Sequence, residues 1–290
     1  MLSLLLAAPV NAAAPVTYPG TVQPSDRWWE LESYYDKGEM KVGLARTEEL
    51  RKSAPKDVDL IWLQVRFMFE IGEVVPRTDR SFDKLAWYQK MYDLTTEGLA
   101  LSPGHGHLLF GRGIALGRLG TTRGVLASLG SVKAVEADWL AAAKSDYQYA
   151  SIGGQEVLPC DAFLTLAIFY RLVPDWWIVQ VMAGTRGDLP TSVEYAKRAD
   201  QCSPDRLLTL KELGVSQLCL GQSTGDAVAI AQGTQTLARA LATPMTGQPT
   251  DLVDLKHTKM ILADPSLACE YSRDGQQDLD REKLPPDATP

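Results

Sequence analysis

The chain has 290 residues, 45% hydrophobic and 22% charged, the make-up of a packed globular protein, which excludes disorder of the whole. A net charge of −7, with no dense Lys/Arg run in the first or last hundred residues, disfavours a nucleic-acid backbone as partner and, for the same reason, an anionic membrane surface. After the first residues no stretch reaches the roughly 18 uninterrupted apolar residues of a membrane span.

The opening "MLSLLLAAPVNAAAPV" joins a short apolar run to small residues, and Val10-Asn11-Ala12 or Ala12-Ala13-Ala14 fits a small-x-small cleavage site. Residues 1–25 read as a signal-like segment and flexible leader, although no Lys or Arg precedes the apolar run. The first hundred residues hold no cysteine, so the expectation is export without a lipid anchor.

Residues 26–271 read as one helical-repeat domain punctuated by glycine and proline. Gly38, Pro55 and Gly72 are 17 residues apart, as are Pro103 and Gly120, and again Gly187, Pro204 and Gly221. Between them the apolar residues keep helical spacing: Ile61, Val65, Met68 and Phe69; Leu109, Ile114, Leu116 and Leu119; Leu210, Leu213, Val215 and Leu218. Each glycine is expected to end a helix in the left-handed conformation, and each proline to follow the end of the next.

The phase slips at "EVVPRTDRS", an inserted loop, and again beyond Gly120. There two helical stretches, 131–150 and 160–173, are joined by "SIGGQEVLP", whose glycines predict a tight interhelical turn. His105 and His107 beside Pro103 read as a surface turn, since no carboxylate lies near them in sequence and only His257 remains as a third ligand. In "GDLPTSVEYAKRADQCSP", Gly187 ends a helix, Asp188 is the cap, Pro190 sits in the first turn, and Thr191 with Glu194 forms a capping box. Val193, Ala196 and Ala199 make a stripe narrow enough for close helix packing. The tail 272–290 is polar and proline-ended, and is expected to be disordered or to lie as an extended cap.

Cys160, Cys202, Cys219 and Cys269 include no CxxC pair, which argues against zinc or thioredoxin-like chemistry. In an exported protein they can form disulfides, and buried free thiols are the alternative. A Cys202–Cys219 pair is excluded, because a helix of about 20 Å would separate the two.

A step of 17 is one helix and its turn, and two steps give the 34-residue period of a tetratricopeptide repeat, which the chain resembles. Trp176 stands 11 residues before Gly187 and Ala199 five before Pro204, Gly113 and Gly214 each follow a proline by ten, and Tyr34 precedes Gly38 by four. The resemblance implies that Trp176 packs between helices. Over residues 105–245 the chain also resembles the T-component family associated with tripartite ATP-independent periplasmic (TRAP) transporters, related to the regulators of microtubule dynamics. The features are Arg123-Gly124, Tyr149 with Gly153-Gly154, the segment ending Pro174 to Trp176, and Gly187-Asp188. Gln155 stands where that family commonly has proline.

This second resemblance implies a periplasmic, non-enzymatic protein whose partners are a solute-binding protein, a small-molecule ligand and further copies of itself. The combined expectation is an all-α, tetratricopeptide-like helical-hairpin solenoid, irregular in the middle, acting as a binding or adaptor protein without cofactor, metal or catalytic residues. Trp139, Tyr147, Tyr149, Phe169, Tyr170, Trp176 and Trp177 cluster in sequence, most of them read as core, and Tyr149, Arg171, Trp177 and Arg186 are the expected exposed anchors. The rivals are a general envelope scaffold without a small-molecule ligand, and an enzyme built on Glu156, Asp161, Arg171 and Asp175.

Overall fold

The computed structural model describes residues 27–76, 79–123 and 125–273, without the side chains of 125–128. The signal-like segment and leader, Gly124 and all but the first two residues of the tail lie outside the described residues.

Apolar residues at helical spacing, bounded by polar caps and prolines, give twelve α-helices among the described residues. They are α1 (Trp29–Asp36), α2 (Met40–Ser53), α3 (Val58–Val74), α4 (Lys84–Leu101), α5 (Gly106–Arg123), α6 (Val125–Lys144), α7 (Cys160–Leu172), α8 (Trp177–Ala183), α9 (Leu189–Cys202), α10 (Leu207–Thr224), α11 (Ala227–Ala242) and α12 (Pro249–Ala263), followed by a 3-10 turn, Pro265–Ala268. The fold is all-α. Asp57, Asp83, Asp188 and Asp226 cap α3, α4, α9 and α11 by accepting first-turn N–H groups that a helix start leaves open. Pro55, Pro103 and Pro204 stand just beyond α2, α4 and α9, as the spacing predicts.

The glycines divide. Gly38 follows α1 with φ +74°, as expected. Gly72, Gly120 and Gly221 instead lie inside α3, α5 and α10, and Gly187 lies in the loop between α8 and α9. The left-handed ends of α8 and α10 are Gly184 and Gly225, with φ of +72° and +73°. Gly221 is small for another reason: α11 folds back over it, and a Cβ there would stand 2.8 Å from the Ile230 backbone nitrogen. Spacing does not separate a glycine needed for its backbone angle from one needed for its missing side chain.

Two further local expectations are corrected. Asp188 alone caps α9 by accepting from the Thr191 N–H at 2.8 Å, so Thr191 is already within the first turn and the Thr191–Glu194 capping box does not form. The "SIGGQE" segment is the tip of a small hairpin, with β1 (Tyr149–Ala150) antiparallel to β2 (Val157–Leu158) and Tyr149 opposite Leu158. Its glycines turn a hairpin because Ser151 holds both ends, the N–H donating to the Glu156 carbonyl and Oγ accepting the Glu156 N–H.

Most helices pack on their neighbours in the chain, from α1 on α2 through α11 on α12, while α8 leans on α6. Val193, Ala196 and Ala199 are buried, which lets α9 lie close to α7 and α10. α12 departs from an array in which each unit touches only its neighbours by returning onto α3. The chain end follows it, Arg273 pairing with Glu73 on α3 at 2.9 Å and Asp254 on α12 at 2.6 Å. Covered by α2, α4, α5 and α12, α3 is buried on nearly all sides, including its polar residues Gln64, Arg66, Glu70 and Glu73. It centres the larger core, which includes Leu60, Phe67, Tyr88 and Leu108; a second core joins Leu218, Leu237, Ile261 and Tyr271.

α10 and α11 cross closely: a Cβ on Gly233 would stand 2.8 Å from the Gly214 carbonyl oxygen. Gly233→Ala is expected to lower the unfolding free energy by about 1–3 kcal/mol through overpacking. An unchanged denaturation midpoint would show that the two helices part without cost.

All four cysteines are paired, Cys160 with Cys202 and Cys219 with Cys269, so the free-thiol alternative is set aside and the excluded pair is absent. The first bond ties the start of α7 to the end of α9, and the second ties α10 to the residue after the 3-10 turn.

Candidate functional site

α7 ends at Leu172 and Val173 is extended, so the chain has left helical register before it reaches "PDWWIVQVMAG". α8 then runs for only seven residues, stopped by left-handed Gly184. Val179 and Ala183, four apart, are its buried positions. Trp176, Trp177, Ile178, Val181 and Met182 all stay in solvent, Trp177 and Val181 at 71% exposure each. Trp176 therefore does not pack between helices: it is the extended residue preceding α8, outside the helix register that its motif position assumed. Together these side chains present on the order of 500 Å² of apolar surface, the size at which such a patch on a monomer is usually functional. Arg186 and Asp175 stand at its edge, paired at 3.2 Å and well exposed, an arrangement that contributes little to stability.

The other two expected anchors point inward. Tyr149 is 5% exposed and its hydroxyl donates to Glu32 at 2.6 Å; Arg171 is 6% exposed and donates to Glu212 at 2.8 Å and to the Tyr271 carbonyl at 2.6 Å. Neither is an exposed anchor, because each side chain satisfies a buried polar partner. Trp177 and Arg186 remain at the surface and lie on the same short segment.

Tyr149 belongs to a buried centre around Arg66. The Arg66 guanidinium donates to both Glu32 oxygens at 2.8 and 2.9 Å, lies 2.6 Å from Glu156, and is covered by the Tyr35 ring at 3.4 Å. Burial alone would raise the Glu156 carboxyl, but Arg66 and then His107 hold it below the usual carboxylate range. His107 is buried, not part of a surface turn: it stacks on Trp62 at 3.9 Å, meets the Tyr147 hydroxyl at 2.7 Å and faces Glu156 at 3.6 Å. His105 beside it is half-buried, and burial pushes it down to about 4. The carboxylate missing from the local sequence arrives from the hairpin, yet no group of three His, Cys, Asp or Glu residues suited to a metal occurs among the described residues.

Arg171 belongs to a second buried centre. Lys211 is sealed between Glu212 at 3.0 Å and Asp254 at 2.5 Å, and Arg273 adds its own pairs to Asp254 and Glu73. Burial would lower the Lys211 ammonium, but Asp254 and its neighbours hold it above its ordinary value. The rival enzyme residues are each held in a separate ion pair. Asp161 pairs with Arg206, Arg171 with Glu212, Glu156 with Arg66, and Asp175 with Arg186 at the surface.

Helical periodicity missed Arg66 and Lys211 because it weighs only apolar positions. A signal was present: in "WLQVRFMFE" and "LLTLKELGV" a charge interrupts a helix too apolar to face water on any side. A scan against protein-family models finds no match, and neither does a search of curated proteins.

Proposed function

We infer that the protein is a non-enzymatic, tetratricopeptide-like binding or adaptor protein of the periplasm, associated with TRAP-type solute transport, whose α8 docks on a partner protein. The observation that carries this reading is the five-residue apolar surface formed by Trp176 and α8, large enough to supply most of one side of a standard interface of about 800 Å² per partner. Two exposed tryptophans and a methionine are the residue types that anchor such interfaces. A protein partner fits better than a bilayer, since α8 carries no Lys or Arg and the chain is net negative. Paired cysteines are compatible with an oxidising compartment. The internal use of Tyr149 and Arg171 favours, as a second reading, an envelope scaffold without a small-molecule ligand on those residues.

Native mass spectrometry of mature protein from its own periplasm tests this reading. The expected result is a complex with a solute-binding protein, identified by mass, that Trp177→Ser with Val181→Ser weakens at least tenfold while the thermal melt stays near wild type. A bare monomer at high concentration, a complex indifferent to the substitutions, or binding only to zwitterionic vesicles would overturn it.

A further inference from the structure

A small cleft of about 60 Å³, room for a few waters or a group of similar size, opens where α12 closes on α1, α3 and the start of α10. Two arginines border it and both are already engaged. Arg206 pairs with Asp161 and donates to the Gln155 carbonyl, and Arg273 pairs with Glu73 and Asp254.

The remaining hydrogen-bonding capacity of the cleft is for donors. Glu70 accepts from the Tyr35 and Thr250 hydroxyls, each at 3.2 Å, and has no ion-pair partner among the described residues. Gln248, only 3% exposed, donates its Nε2 to the Tyr35 carbonyl at 2.5 Å. That bond fixes which way the amide points and leaves the carbonyl Oε1 buried without a donor. The cleft thus holds a buried carboxylate with no direct ion pair, eased by the charge of Arg273, and a buried acceptor lacking a hydrogen, and both deficits are costly.

We propose that the cleft binds the ammonium group of a small primary amine, with the Glu70 carboxylate as counter-charge and Gln248 Oε1 as second acceptor. An ammonium brings a positive charge free to pair directly with Glu70, both arginines being engaged elsewhere, and three donors, one of them for Gln248 Oε1. A divalent metal needs more oxygen ligands than are grouped here. The proposal does not rest on α8 being an interface.

The binding carries a pH signature. Burial pushes Glu70 up to about 7, Arg273 from the chain end opposes this, and Glu73 on α3 and Glu156 of the hairpin reinforce it. Tyr35 on α1, Arg206 at the start of α10 and Asp251 and Asp254 on α12 complete the surrounding ionisable groups. The ligand requires ionised Glu70, so proton and ammonium compete. Affinity is highest above pH 7 and falls about tenfold for each unit below it.

The test is titration of methylammonium chloride into the full chain, followed by amide chemical shifts and thermal denaturation, with potassium chloride, sodium acetate and calcium chloride in parallel. Expected are saturable shifts around Gln248 and Thr250 and a raised Tm with methylammonium alone, both fading below pH 7. Glu70→Gln is expected to weaken binding at least tenfold and to abolish its pH dependence, and Gln248→Met to weaken binding while keeping it. If Glu70→Gln does not fold, the wild-type pH series and the salt comparison still decide the matter. No saturable shift above pH 7, an equal response to potassium or calcium, or a pH dependence that survives Glu70→Gln would overturn the proposal.

Discussion

Replacing Arg66 with methionine is expected to lower the unfolding free energy by about 3–5 kcal/mol at neutral pH, the cost of removing one partner from a buried charge cluster. Methionine nearly fills the volume, so the loss comes from stranding Glu32 and Glu156, both buried and both held by this guanidinium. A denaturant midpoint followed by tryptophan fluorescence reads it, with unchanged slope as evidence that the native state is intact.

Acid adds a diagnostic. In the wild type Glu156 titrates below its unfolded value, so its stabilisation is present above the ordinary carboxylate range and is lost as pH falls through the folded value. Without Arg66, burial dominates and the Glu156 carboxyl moves up, so the variant gains relative to wild type on acidification. The gap between the two proteins should therefore narrow towards pH 4, and adding Glu32→Gln and Glu156→Gln should recover most of the loss at neutral pH. A gap independent of pH would mean that Arg66 acts through packing alone.

Replacing Cys219 and Cys269 together with alanine is expected to cost about 4 kcal/mol, the loop-closure value for a sequence separation of 50. The local consequence is more specific than the global one. Cys269 anchors the segment that carries Tyr271, whose hydroxyl meets His257 at 3.1 Å, and Arg273, which joins α3 to α12. Amide exchange in residues 264–273 should accelerate well beyond the global loss, while α3 to α5 keep their protection. Slow exchange there in the double variant would show that the ion pairs of Arg273 hold the chain end without the covalent tie.

The 17-residue phase located α2, α3, α5, α9 and α10, because a proline cannot continue a helix and an apolar stripe must be buried whatever the partner. Asp188, Pro190 and the Val193, Ala196, Ala199 stripe were legible together, since a cap, a first turn and a packing face are all written within a few residues. Gly72, Gly120 and Gly221 were misplaced as helix ends because local sequence does not report which neighbouring helix approaches. Of the candidate site, Trp177 and Arg186 were legible as surface residues, while the outward face of Trp176 depended on α7 ending at Leu172.

The sequence by itself determined the all-α class, the prolines as stops and the impossibility of a Cys202–Cys219 bond, all consequences of local backbone geometry and helix length. Only the tertiary structure decided that α12 closes on α3, that Tyr149 and Arg171 turn inward, and that Glu70 and Gln248 share a cleft. These depend on groups far apart in the chain, Tyr35 and Gln248 being 213 residues distant, and a charge's partner is set by where helices meet, which no local spacing encodes.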